Sequence, residues 1–147
     1  MFSDPSTHLY QAPQSKPFLA KTNPTPLTTL THPQLTVASH VALDHQIQAQ
    51  DLHKKRPFAA ILLAPTNETS LLSSNSLSHV RHAETELARN AADNYDWTYL
   101  ARCTLMLTRE PSTMCANAVY CVHIGHLVYM ASEKALRGVL ALGIQRI

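Results

Sequence analysis

The sequence predicts a three-layer α/β/α domain built on a mixed sheet of four to five strands. Helical and strand-like segments alternate from Leu35 onward, which is the pattern of helices packed on a sheet. The apolar run over residues 58–63 is continuous rather than alternating, as expected of a strand buried on both faces, and residues 103–108 read as a further strand. The chain has 147 residues, enough for one such domain and too few for two.

Six of the nine prolines (Pro5, Pro13, Pro17, Pro24, Pro26 and Pro33) fall before residue 34, among Thr, Gln and Ser. Residues 1–34 therefore read as an extended arm, and residues 35–147 as the folded domain. Leu35, Ala38, Val41 and Ala42 recur at helical spacing, giving a first helix through Gln50. After Pro57 comes the strand over 58–63. A turn at Pro65-Thr66-Asn67-Glu68 then returns the chain antiparallel over 69–73. Residues 82–94 have helix composition, with Ala83, Leu87, Ala88 and Ala91 among charged residues. The strand over 103–108 stops at Glu110-Pro111 and feeds a helix over 113–121. Gly125 ends that helical region, residues 127–130 form a further strand, and Ser132 caps a short helix to Arg137. Residues 143–147 begin a fifth strand or a helix. Trp97 and Tyr99 are expected to pack beneath the loop after the second helix, and Met106, Met114 and Met130 to fill the core.

Composition narrows the function classes. Hydrophobic residues make up 45% and charged residues 15% of the chain, and no apolar run approaches the ~20 residues of a membrane-spanning helix. No membrane partner is expected. Residues 1–20 lack a basic start followed by an apolar run, so the expected address is cytoplasmic, with a nuclear one also open. Three cysteines, an odd number, argue against a disulfide framework and for thiols, one or more of which can bind metal. A formal net charge of +2 with scattered Lys and Arg does not give the field of a dedicated nucleic-acid binder, and suits a nucleotide-sized or smaller substrate better.

Two short segments carry the chemistry. His82-Ala83-Glu84 opens one helix; Glu110-Pro111-Ser112-Thr113-Met114-Cys115 opens the next, with twenty-six residues between Glu84 and Pro111. A histidine nitrogen and a thiolate at adjacent helix starts can hold zinc while leaving a coordination position open. A helix N-terminus favours the thiolate, and a carboxylate two residues from the histidine can move protons beside the metal. Taken singly, His82 reads equally as a helix-start histidine, Glu84 as a carboxylate favoured by the helix dipole, and Cys115 as a small buried residue.

Together, these segments resemble the zinc-dependent cytidine/deoxycytidylate deaminase superfamily, in which H-x-E and P-C-x-x-C meet at two helix N-termini. Pro57-Phe58-Ala59-Ala60 is similar to the family's Pro-Phe-Gly-Ala first strand. Met114-Cys115-Ala116-Asn117-Ala118-Val119-Tyr120 resembles the corresponding helix of the tRNA-adenosine deaminase and guanine deaminase branch. The resemblance covers roughly residues 35–140. It implies the cytidine deaminase-like form of the α/β/α fold, Zn2+ as cofactor, and a hydrolase acting on C–N bonds of a nucleobase, nucleoside or nucleotide. It also implies tRNA as a further substrate, and a homodimer or heterodimer. Members carry more C-terminal helix after the fourth strand, so the domain is expected to be C-terminally shortened.

Residue by residue, the resemblance makes His82 and Cys115 metal ligands and Glu84 the catalytic proton shuttle, working with water activated on zinc. It makes Asn75, Phe58 and Ala83 substrate contacts. Ser112 stands where the family has the first zinc cysteine, and a neutral hydroxyl is a poor substitute for a thiolate. Cys121 lies six residues beyond Cys115, about 240° around the helix, and cannot easily replace it. Cys103, at the far start of its strand, is no better placed. The second implied function is therefore a metal-weakened or inactive deaminase homologue acting as a partner subunit or binding module.

Overall fold

The computed structural model describes residues 29–54, 56–132 and 134–135. In chain order they form α1 (His32–Asp51), β1 (Ala59–Leu63), β2 (Ser70–Asn75), α2 (Ala83–Asn94), α3 (Trp97–Leu100), β3 (Thr104–Arg109), α4 (Thr113–Cys121) and β4 (His126–Ala131). The strands make one sheet in the order β2-β1-β3-β4. Most of the expected arm, and the element expected over 143–147, lie outside the described residues.

α1 starts three residues before the position that periodicity gives. Thr31 and Gln34 form a capping box: the Gln34 side chain accepts from Thr31 N at 3.0 Å, and Thr31 Oγ1 accepts from Gln34 N at 3.5 Å. Pro33, counted above with the arm, belongs to the first helical turn, where its missing N–H costs nothing.

β1 is buried along its whole length and sorts its side chains with period two. Ala60 and Leu62 join Leu105, Leu107, Ala83, Leu87, Ala91 and Val119 in a core on the α2/α4 face. Ile61 and Leu63 join Met106, Ala38 and Ala42 on the α1 face. Two cores flanking one sheet make the three layers, and each fully buried Leu or Ile contributes on the order of 2 kcal/mol.

β1 runs antiparallel to both β2 and β3, and β3 runs parallel to β4. β2, β3 and β4 therefore deliver their carboxyl ends to one edge of the sheet. α2 follows β2 and α4 follows β3, so both helices present their N-termini at that edge, the usual location of ligand sites in α/β sheets.

Three local expectations are corrected. α3, capped by Asp96 accepting from Tyr99 N at 2.9 Å, has only four residues, too few to leave a periodic signal. Tyr99 stacks on Tyr95 with ring centroids 5.4 Å apart and packs against the core, but Trp97 is 55% exposed and lies beside His123. Met106 fills the core, whereas Met114 near the start of α4 and Met130 on the edge strand β4 are exposed.

Candidate metal centre

The edge that collects the two helix N-termini also collects His82, Glu84 and Cys115. Their ligand atoms all lie within 4.8 Å of one another, and Glu84 and Cys115 are buried. His82 is the N-cap residue of α2, in extended conformation, which turns its ring toward α4. Its Nε2 meets the backbone carbonyl of His79 at 2.9 Å. A carbonyl can only accept, so Nε2 carries the proton and Nδ1 keeps its lone pair. That Nδ1 is 3.4 Å from Cys115 Sγ.

Zn–S and Zn–N bonds of about 2.3 and 2.1 Å at a tetrahedral angle place sulfur and nitrogen about 3.6 Å apart. The observed pair is thus already at the spacing that a zinc ion between them requires. The locked tautomer supplies the outer contact that a metal-binding histidine ordinarily has. Thr85, one turn along α2, places Oγ1 3.5 Å from the same Sγ. Glu84 as a residue is 8% exposed, and its carboxylate makes no hydrogen bond or ion pair among the described residues.

Ser112 has a different task from the cysteine it replaces. It is the N-cap of α4, and its Oγ accepts from Cys115 N at 3.3 Å. Serine is among the best residues for this position, so the lost thiolate is matched by a gained cap. Cys103 and Cys121 take no part in the cluster. Cys103 is fully buried, its Sγ donates to Tyr99 O at 3.5 Å, and burial pushes its thiol up to about 11; Cys121 is exposed at the far end of α4.

Asn75 ends β2 opposite Ala59, and its buried Oδ1 finds no hydrogen-bond partner among the described residues. Phe58 precedes β1, and the Arg109 guanidinium lies over its ring at 4.9 Å from the centroid. Ala83 is fully buried, with its N–H donated to Ser76 Oγ at 3.2 Å. Sequence reasoning missed Ser76, Thr85 and Arg109. Each acts through a tertiary approach that no local spacing encodes.

Glu86, 7% exposed in the first turn of α2, accepts a two-pronged pair of hydrogen bonds from Arg81, both at 2.9 Å, and a contact from Arg89 at 3.2 Å. The Arg81 hydrogen bonds, against the opposing effect of burial, hold its carboxyl below the ordinary range. On acidification the unfolded chain protonates this group first, so its stabilising contribution is complete above the ordinary glutamate pKa and is lost as pH falls through the lower folded value. In urea titrations, wild type should exceed Glu86→Gln in midpoint at pH 7, with the gap closing in acid. A gap independent of pH would contradict this.

The model of the cytidine and deoxycytidylate deaminase zinc-binding region matches residues 33–131. Among solved structures, the fold is similar to guanine deaminase from Bacillus subtilis, with 17% identity, 80% of this chain and 79% of that one covered, and a TM-score of 0.61. It is similar to a tRNA:A34 deaminase that acts in A-to-I editing, with 25% identity, 67% and 77% coverage and a TM-score of 0.55. Guanine deaminase from Nitrosomonas europaea gives 22% identity, 80% and 67% coverage and a TM-score of 0.58. These define the class: a cytidine deaminase-like fold, with neighbours from the branch that the α4 motif resembles. The chain belongs to the cytidine and deoxycytidylate deaminase family, whose matched region is zinc-binding. A tRNA(Ile)-lysidine synthase of Deinococcus radiodurans is 44% identical over 61 residues, 40% of this chain but 10% of that protein, so the chain spans a small part of that relative. No helix among the described residues is long and apolar enough to cross a membrane.

Proposed function

We propose that this protein is a zinc-dependent hydrolytic deaminase of a nucleobase, nucleoside or nucleotide. The observation that carries this is Glu84: a buried residue whose carboxylate has no bonded partner among the described residues, beside a histidine and a cysteine spaced for zinc. Burying such a group is costly unless a cation or a proton-transfer role offsets it. Bound zinc supplies a Lewis acid that brings the pKa of water toward neutrality. His82 Nδ1 and Cys115 Sγ hold it, and the Thr85 hydroxyl can donate to that sulfur. Glu84 takes one proton from water and gives it to the ring nitrogen as the hydroxyl adds to the amino-bearing carbon, then takes the proton of that hydroxyl and gives it to the amine, which departs as ammonia. Asn75 Oδ1 accepts from an N–H of the base, and Phe58 offers it an apolar edge; Ala83, fully buried in the core, supports the site from beneath.

The same proposal includes a tRNA substrate as an alternative to a small molecule, a homodimer or heterodimer, and a cytoplasmic address. A second reading, an inactive homologue serving as a partner subunit, is favoured by Ser112, whose hydroxyl is committed to the α4 cap. Metal analysis of the purified chain together with ammonia release from bases, nucleosides and nucleotides separates the two. Zinc near one per chain with ammonia release supports the enzyme; a folded, metal-free and inactive chain supports the subunit. Ser112→Cys should tighten zinc about tenfold or more in chelator competition, at the expense of about 1 kcal/mol of capping. Unchanged affinity would place residue 112 outside the metal's reach.

A further inference from the structure

Beside the metal centre lies a pair of basic side chains that the chemistry above does not use. An Arg56 amino nitrogen contacts His79 Nδ1, with Nε2 of the same ring 3.4 Å from it. The His79 carbonyl is the group that fixes His82, so the pair stands directly against the metal ligand. The tight Arg56–Phe58 turn, in which Phe58 N donates to Arg56 O at 2.8 Å, brings Arg56 to the same sheet edge. Arg109 reaches that edge from β3 across the Phe58 ring.

We propose that Arg56 and His79 form a phosphate-binding fork, and that the substrate bears a phosphate, as a mononucleotide or as a polynucleotide, rather than being a free base. Arginine can only donate, so the ring nitrogen facing it accepts and the other nitrogen of His79 keeps its N–H. What the pair presents outward is a set of donors without an acceptor. Both side chains are exposed. Glu86 is held by Arg81 and Arg89, and Glu84 is buried in the metal cluster. A planar guanidinium with a ring N–H beside it matches two oxygens of a phosphate, and the exposed positive charge of Arg56 draws an anion to this place. A free base would leave the fork unused.

Because the fork serves the pocket proposed above, it rests on that reading, and the experiment keeps the two apart. The full chain is titrated calorimetrically with the common ribonucleosides, their 5′-monophosphates and a short single-stranded RNA, and ammonia release is followed on the same panel. For at least one base, the phosphate-bearing form should bind about tenfold or more tightly than its nucleoside. The double variant Arg56→Gln, His79→Gln should lose that margin while keeping nucleoside affinity; both residues are exposed, so the fold should not suffer. A margin with mononucleotides identifies a terminal phosphate, and a margin with RNA alone identifies the nucleic-acid backbone. Equal binding of nucleoside and nucleotide, a margin that survives the double variant, or no binding of any phosphate-bearing probe overturns the fork. Ammonia released from free bases without a margin leaves the deaminase standing and removes the fork; phosphate-dependent binding without ammonia does the reverse.

Discussion

Replacing Glu84 with glutamine is expected to lower ammonia release about 10²- to 10⁴-fold while leaving zinc content and the unfolding midpoint close to wild type, because the amide fills the same space but cannot take a proton. The side chain is buried in the first turn of α2 with no hydrogen bond among the described residues, so the substitution disconnects no structural contact there. A buried neutral amide is also less costly than a buried carboxylate, and a slight gain in stability is consistent with the role assigned. Two outcomes would sink it. Undiminished ammonia release would mean that another group moves the proton, and zinc lost in parallel with activity would make Glu84 a metal ligand in the position left open by Ser112.

The parts of the fold that were legible in sequence are those fixed by local pattern. The continuous run of β1 announces a strand covered on both sides, and the bounds of α4 over residues 113–121 follow from Pro111 and the small residues after it. β2, Ser70–Asn75, was placed nearly in register, although Ser, Leu and Asn say little for a strand; as an edge strand it needs only one covered face. α3 was not legible, since its one turn is held by the Asp96 cap and by packing rather than by periodicity. Of the site, the pairing of His82-Ala83-Glu84 with Cys115 was legible because both segments sit at helix starts, where spacing is preserved in three dimensions. The capping role of Ser112 is legible in principle, as a Ser immediately before a helix. Ser76 could not be found, because it reaches α2 through a loop whose path the sequence does not specify.

Gly125 shows how a residue can be placed correctly for the wrong reason. Sequence reading made it the terminator of α4, but the left-handed position after that helix belongs to His123, with φ of 61°. Gly125 instead lies where the chain enters β4 and passes against the end of α3: its N–H donates to Leu100 O at 3.1 Å, and a Cβ built on it would stand 1.8 Å from the carbonyl oxygen of Ala101. The obstructing atoms are backbone, so no rotamer change relieves the contact. Either β4 moves away from Cys103, whose carbonyl accepts from His126 N at 3.2 Å, or the Leu100–Ala101 turn shifts and disturbs a residue that is only 1% exposed in the core. Gly125→Ala should therefore destabilise the fold by about 3 kcal/mol, a large share of the total stability of a domain this size. The measurement is the urea midpoint with the slope checked for two-state behaviour. His123→Ala serves as the comparison: it keeps the strained backbone and removes only the exposed contact with Trp97, so its loss should stay near 1 kcal/mol. A Gly125→Ala loss no larger than that of His123→Ala would show that the α3–β4 approach gives way freely, and that this glycine does not set how closely β4 is seated beside β3.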